Sequence, residues 1–492
     1  MKPAATNSVV SARWLVLASL AAAAVGCYRT IDSPRSPDHA VPHAPGGGLS
    51  IDPNAPNGIL DARQTVANGG VPLADSVSVE GLLRQYDLSD DPPVCDSILC
   101  SRPALAIAPS LRTGQREYWV QLGLTSALTQ DSFRRPALDV AVAIDRSSSM
   151  AVDLAQVYDA LNQLMLRLRS DDRLAIIMYN GGAETLRGLA TIDDRADIIR
   201  RVRMVQAAGP ANMSAGVRAA IDVLRNARDA QNRLRRLMVF ACENPQGAGF
   251  GENEFGRAIR VAAVDRIGTS FFGVLTGASA PASQLLTETR GGAYYSLNQL
   301  DTIQNAFDHE FETMVTPIAY DVDFGLTPAA DFDAAEVYGV SGTLGASHVT
   351  QFHVATAFVN ARRGAVIVRL RARAGVTSPR NVGSVALSYV PETAIRNEGN
   401  RYDNDTLTFP TEVPDGASYF SSHGVRRGVT LLNEAEQLRD ALTAWHAGDH
   451  ARGADIVAQL VEYVGEVAQS LDDAGLRTEQ AFLRRLHENM TQ

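Results

Sequence analysis

Between residues 137 and 315 the hydrophobic period switches repeatedly between that of a strand and that of a helix. "ALDVAVAI" (137–144) is a nearly continuous apolar run, as a strand covered on both faces must be. The next segment puts Leu154, Val157, Leu161, Leu164 and Leu168 at steps of three and four, which is one helical face. "RLAIIMYN" (173–180) returns to strand, "RADIIRRVRMVQ" and "NMSAGVRAAIDVLRNARD" to helix, and "RLMVFAC" (236–242) to strand. "EFGRAIRVAAVDRIG" follows as a helix and "TSFFGVLTG" (269–277) as a strand. "APASQLLTETRG", "GAYYSLN" and "LDTIQNAFDHEFETM" then predict helix, short strand and helix. Strands that alternate with helices pair in parallel through right-handed crossovers. The expected fold class is therefore α/β, a doubly wound, mostly parallel, Rossmann-like sheet.

The flanks read differently. Residues 316 to about 390 alternate apolar with polar between turn residues, the pattern of a flanking antiparallel β module with a sandwich-like core. "EYWVQLGLTSAL" (117–128) has the same pattern, so the segment before the central sheet contributes to that module. That segment also holds one helix candidate, around Val79, Leu82, Leu83 and Tyr86. "NEGNRYDNDTLTFPTEVPDG" reads as a polar link. Beyond it, Leu431, Ala435, Leu438 and Leu442 line one helical face, and Ile456, Leu460, Val461 and Val464 another. They predict a C-terminal helical hairpin, followed by a last helix in "RTEQAFLRRLHEN". The divisions are 1–27 (signal peptide), 28–58 (flexible linker), 59–135 (N-terminal flank), 136–315 (central sheet), 316–410 (β module) and 411–492 (helical region).

Lys2 and Arg13 precede the apolar run Trp14–Val25, which is shorter than the roughly 20 residues that a membrane helix needs. It suits the core of a secretory signal. The run ends in Ala24-Val25-Gly26-Cys27, which resembles a bacterial lipobox. The resemblance implies cleavage before Cys27 and lipidation of its thiol; the other reading is an ordinary signal peptide with an incidental cysteine. Tyr28 stands where Asp would favour inner-membrane retention, so the expectation is an exported outer-membrane lipoprotein facing the periplasm or the cell surface. Export permits disulfides. Cys95 and Cys100 bracket the short loop "CDSILC" and can pair, against two free thiols or a metal clip. The net charge of −10 leaves no basic excess to neutralise phosphates and argues against nucleic acid as a partner. Arg233, Arg235 and Arg236 are expected to flank a strand, and Asp171-Asp172 and Asp193-Asp194 to serve as caps or solvated charges.

"AIDRSSSM" (143–150) places Asp145, Ser147 and Ser149 on alternate positions where the first central strand runs out. Ligands of doubly wound sheets bind beyond the carboxyl ends of the strands. A carboxylate and two hydroxyls are hard oxygen donors, suited to Mg²⁺, Ca²⁺ or Mn²⁺. Capping of a helix starting near Met150 is the alternative for either serine.

Asp145-Arg-Ser147-Ser-Ser149-Met150 resembles the first motif of the von Willebrand factor type A domain, the metal-ion-dependent adhesion site. "LRSDDRLAIIMYNGGAETL", "AAGPANMSAGVRAAIDVL" and "RRLMVFACENPQG" resemble the strands and loops that follow it in that family. The extension "GILDARQTVANGGVPLADSVSVEGLLRQYDL" resembles that of bacterial lipoproteins carrying the domain. The family's second loop supplies a Thr where this chain has Ala211, and its third an Asp where this chain has Cys242. With one carboxylate left the resemblance implies weak or absent Mg²⁺ or Ca²⁺ binding, with Asn212 and Glu243 as substitute donors. It further implies a non-enzymatic, lipid-anchored envelope protein whose A domain binds a protein or envelope partner. The alternative is a structural scaffold in which the C-terminal helices make the contacts.

Overall fold

The computed structural model describes residues 48–49, 59–83, 85–88, 95–128, 133–228, 232–242, 254–274, 285–286, 288–296, 311–339, 350–360, 365–376, 379–392, 399–410, 413–414 and 416–492. Cys27, most of the 28–58 linker and Glu243 lie outside the described residues. The N-terminal flank holds β1 (Gly48–Leu49), α1 (Leu60–Ala67), α2 (Val79–Leu83), β2 (Cys100–Pro109) and β3 (Arg116–Thr125). The central sheet holds β4 (Ala137–Asp145), β5 (Arg173–Tyr179), β6 (Ala183–Ala190), β7 (Arg233–Cys242), β8 (Ile267–Val274) and β9 (Ala293–Ser296). Its helices are α3 (Leu154–Arg167), α4 (Arg195–Arg203), α5 (Met213–Arg225) and α6 (Glu254–Val264).

The central strands lie in the order β6-β5-β4-β7-β8-β9, all parallel except β6. The expected α/β fold is present, and the alternation along β4 shows why both of its faces are apolar. Val140, Val142 and Ile144 join the cluster formed with α3 and α4, while Ala141 and Ala143 join the cluster formed with α5 and α6. The antiparallel strand β6 went unread because it is an edge strand whose residues are mostly exposed, so burial imposed no alternation on it.

The second module gathers β2 and β3 with β10 (Pro317–Pro328), β11 (Phe332–Tyr338), β12 (Thr350–Asn360), β13 (Ala365–Ala372), β14 (Asn381–Pro391), β15 (Arg401–Thr408) and β16 (Tyr419–Phe420). The path β11-β13-β3-β1-β12-β10-β14-β15 is antiparallel and folds over on itself. Val120, Leu122, Val366 and Val368 from one half therefore share a core with Val322, Phe324, Val385 and Leu387 from the other. The stretch expected as a polar link contains the strand β15. Its residues are almost all exposed, and its backbone is held by β14 alone among the described strands.

Helices Leu60–Ala67 and Val79–Leu83 place part of the 59–135 flank outside the β module. Ile59, Ala62, Val66, Leu82 and Leu83 pack instead with three C-terminal helices, His423–His446, His450–Leu471 and Ala474–Thr491. Helix α1 was missed because its buried face is little more than Ala62 and Val66, too narrow to announce itself. The helical layer covers the outer face of β3 and β13, where Trp119 and Ile367 point away from the sandwich core.

The central sheet is fastened to the β module by buried polar contacts. Arg236 does not flank its strand but sits inside β7 and is 1% exposed. Its guanidinium donates to the Gly291 carbonyl (2.7 Å) and the Ser270 hydroxyl (2.5 Å) and lies over the Phe358 ring of β12, 5.5 Å from its centroid. The Gly291 amide donates to Thr356 of β12 at 2.6 Å. Asp172 is likewise no solvated charge: it is fully buried in a bidentate pair with Arg135, at 2.8 and 2.6 Å.

Candidate functional site

Asp145 closes β4 on the face shared with Ala141 and Ala143, in register with Tyr179 of β5. Its carboxylate is 2% exposed and accepts the Ser147 amide at 2.8 Å. Burial pushes the Asp145 carboxyl above its ordinary value, and hydrogen bonds from Ser147 offset part of that rise. Ser147 heads a short 3₁₀ turn, Ser148–Met150, without capping it by its side chain. Its hydroxyl pairs with that of Ser149 at 2.8 Å. Helix α3 begins only at Leu154, later than the helix start expected near Met150.

Backbone bonds bring the second loop against the first. The Arg146 amide donates to Tyr179 O (2.8 Å), Ala208 N to Arg146 O (2.8 Å) and Ser148 N to Gly209 O (2.9 Å). Asn180 Nδ2 holds the Ala208 carbonyl at 2.9 Å. The loop turns at Gly209, whose φ of +76° suits a residue without a Cβ. Asn212, expected as a substitute donor, spends its amide oxygen capping α5, where it accepts the Ala215 amide at 3.1 Å. Ala211 is exposed. The backbone of Cys242 ends β7 beside β4, while Glu243 lies outside the described residues. Away from this crown, Cys95 and Cys100 form a disulfide with Cα atoms 5.9 Å apart, which ties the first residue of β2 to the loop before it.

Two residues that the sequence reading passed over shape the crown. Tyr179 is fully buried beside Asp145, and its hydroxyl has no hydrogen-bond partner among the described residues. Burial first, and the Asp145 charge second, hold that phenol well above its ordinary pKa, so it stays neutral. The ring lies across Gly216 of α5, where a Cβ would come within 2.2 Å of Tyr179 Cδ1 and 2.9 Å of its Cβ. Replacing a mid-helix glycine by alanine gains up to about 1 kcal/mol of helix propensity. Overpacking against the root of a buried ring costs about 1–3 kcal/mol and wins. Gly216→Ala is therefore expected to melt below the wild type in calorimetry; an unchanged or higher melting temperature would refute the contact. A glycine inside so apolar a helix was the available signal.

Residues 140–244 match the family model for the von Willebrand factor type A domain. This chain carries a von Willebrand factor type A domain. No curated protein matches the sequence. Similar solved structures include a von Willebrand factor type A protein from Catenulispora acidiphila, at 14% identity and TM-score 0.43, over 79% of this chain and 92% of that one. Another is the ArnB paralog VWA2 from Sulfolobus acidocaldarius, at 13% identity and TM-score 0.37, over 80% of this chain and 98% of that one. A third is the pilus adhesin SpaC from Lactobacillus rhamnosus GG in its open conformation, at 12% and 0.30, over 65% and 48%.

The A domain's donors do not fit a tightly held divalent cation. Among the described residues the crown offers one carboxylate, Asp145, to balance the two charges of a divalent ion. The two serine hydroxyls are paired with each other, the Asn212 oxygen is engaged and Ala211 has nothing to give. A thiol at position 242 is too soft a donor for Mg²⁺ or Ca²⁺.

Proposed function

We propose that this chain is a non-enzymatic, lipid-anchored envelope protein whose A domain binds a protein partner at the Asp145 crown without needing a divalent cation. The observation that carries this reading is the surface beside the crown. Asp145, Ser147 and Asn212 are satisfied internally, whereas Val152, in the loop after Ser149, and Met204, at the end of α4, stand 74% and 72% exposed. The loop after Met204 is tied to α3 by the Tyr158 hydroxyl, which donates to Val205 O at 3.0 Å. Exposed apolar side chains suit protein contact better than ion chemistry. The C-terminal helices, by contrast, turn their apolar faces into the helical core, and none of the large exposed apolar residues among the described ones lies on them. That favours the A domain over the helices as the contact surface. Anchoring through Cys27 is supported by the signal-like run before it, and export by the Cys95–Cys100 disulfide.

Two measurements on the full chain test the reading. Melting with millimolar Mg²⁺, Ca²⁺ or Mn²⁺ is expected to match melting with chelator. An ion present at about 100 times its Kd adds about 2.7 kcal/mol, several degrees for a domain this size, and such a rise would overturn the metal-free reading. Capture of envelope proteins by chemical crosslinking is expected to survive chelation. The double variant Val152→Glu with Met204→Glu should lose it about tenfold, equal to about 1.4 kcal/mol. Capture that the variant leaves intact would move the contact elsewhere.

A further inference from the structure

The helical layer encloses a polar cluster whose two carboxyls are buried and whose arginine, Arg63, reaches the surface. Glu434, in the first C-terminal helix, and Glu479, in the third, are both 0% exposed and lie within the apolar cluster formed with α1 and α2. Arg63 of α1 and the Tyr86 hydroxyl both donate to Glu479 Oε1. Glu479 Oε2 and both Glu434 oxygens have no hydrogen-bond donor among the described residues. Further polar groups on this side include Tyr463 of the second C-terminal helix, whose hydroxyl lies 3.4 Å from Asn433 Nδ2 and 3.5 Å from Thr430 Oγ1, and Arg426 on the helix of Glu434 itself. One arginine faces two carboxyls, so with both ionised the cluster would hold an uncompensated buried charge, and two bare carboxylates would repel.

We infer that Glu434 is protonated and shares its proton with Glu479, and that the neutrality this gives the cluster lets the N-terminal segment 59–88 stay closed over it through Arg63 and Tyr86. With the proton in place the cluster is neutral: Glu479 balances Arg63, Glu434 donates to Glu479, and Tyr86 completes the set. Burial, followed by the charge of Glu479, holds the Glu434 carboxyl well above its ordinary range, in agreement with that arrangement. The segment is also held by the apolar side chains it buries against the C-terminal helices, by Arg427 Nη1 donating to Asp87 O (2.6 Å), and by neutral contacts such as Asn489 Nδ2 to Val66 O (2.9 Å) and Gly70 O (3.0 Å), and His446 Nε2 at 2.9 Å from Pro72 O. When Glu434 loses its proton, a second negative charge appears beside Glu479. The least costly relief is to let α1 and Tyr86 swing away and admit water. The segment joining the tether to the folded body thus becomes a clasp that is closed at low pH and loosened at high pH. The sign follows from linkage: a carboxyl neutral in the folded state but ionised in the unfolded chain makes stability fall as pH rises from its ordinary value, about 4.3, toward its raised one.

The test uses the full chain. At neutral pH the infrared spectrum is expected to contain a protonated-carboxyl stretch that Glu434→Gln removes. As pH rises, the wild-type band should fade together with hydrogen-exchange protection in residues 59–88, corrected for intrinsic exchange, by about tenfold per pH unit beyond the transition. Protection in β4 should not follow. Glu434→Gln keeps a neutral donor in place, so its clasp should stay protected across the same range. A wild-type spectrum without the protonated band at neutral pH would overturn the inference whether or not the variant folds. So would a Glu434→Gln protein whose segment loosens with pH as the wild type does.

Discussion

Asp172→Asn is expected to cost about 3 kcal/mol or more of unfolding free energy, because removing one charge of a buried pair strands the other. Arg135 and Asp172 are both fully buried at the base of the A domain, opposite the crown. Asp172 accepts two bonds from the guanidinium and also the amides of Leu138 (2.8 Å) and Arg169 (2.7 Å), so it organises the start of β4 as well as the ion pair. Glu312 reaches Arg135 Nε at 2.9 Å and keeps part of the compensation, which places the loss toward the lower end of the range for buried pairs. Burial alone would raise the Asp172 carboxyl, but the Arg135 contacts and the two amides outweigh it and leave it below its ordinary value. The stability that follows is present above the ordinary carboxyl value of about 3.9 and is lost as pH falls through the depressed one. Urea midpoints across pH should therefore show an acid slope that Asp172→Asn loses together with the stability. A midpoint within experimental error of the wild type at neutral pH would contradict the account.

Trp119→Ala is expected to cost about 3–5 kcal/mol, the range for deleting a large buried aromatic. The indole is 0% exposed and stands between the β module and the helical layer. Arg369 stacks on it, 4.4 Å from guanidinium carbon to ring centroid, while reaching Glu436 on the first C-terminal helix at 2.7 Å. The substitution removes the floor from that contact, which adds about 0.5–2 kcal/mol. Trp119 Nε1 has no hydrogen-bond partner among the described residues, so Trp119→Phe loses volume but none of the bonds seen and should cost far less than the alanine variant. Thermal melts of the two variants, with exchange protection in helix His423–His446 as a second readout, check this. Equal losses from Phe and Ala would show that the ring's polar edge matters, contrary to the packing seen.

The crown was half legible. Asp145 stood out because a carboxylate at the end of an apolar run has no use in a core, and its neighbours Ser147 and Ser149 share its side of the chain. The substitutions at Ala211 and Cys242 were visible only through the resemblance to the family, which supplies oxygen donors at those positions. The Asn212 cap and the Ser147–Ser149 pair are contacts between near neighbours in the chain, whereas the press of Tyr179 on Gly216 depends on residues brought together from different elements. No local pattern encodes such distances.

The α/β class, the apolar β4, the sandwich strands and the C-terminal helical faces followed from periodicity, because burial on one or two faces writes itself into consecutive residues. The edge strands β6 and β15 and the narrow-faced α1 escaped, because where little is buried little is written. Only the tertiary structure decided that Arg236, Asp172, Glu434 and Glu479 are buried. A charge reads the same in sequence whether solvated or enclosed, and its partners, hundreds of residues away in the case of Arg63 and Glu479, determine whether enclosure is tolerable.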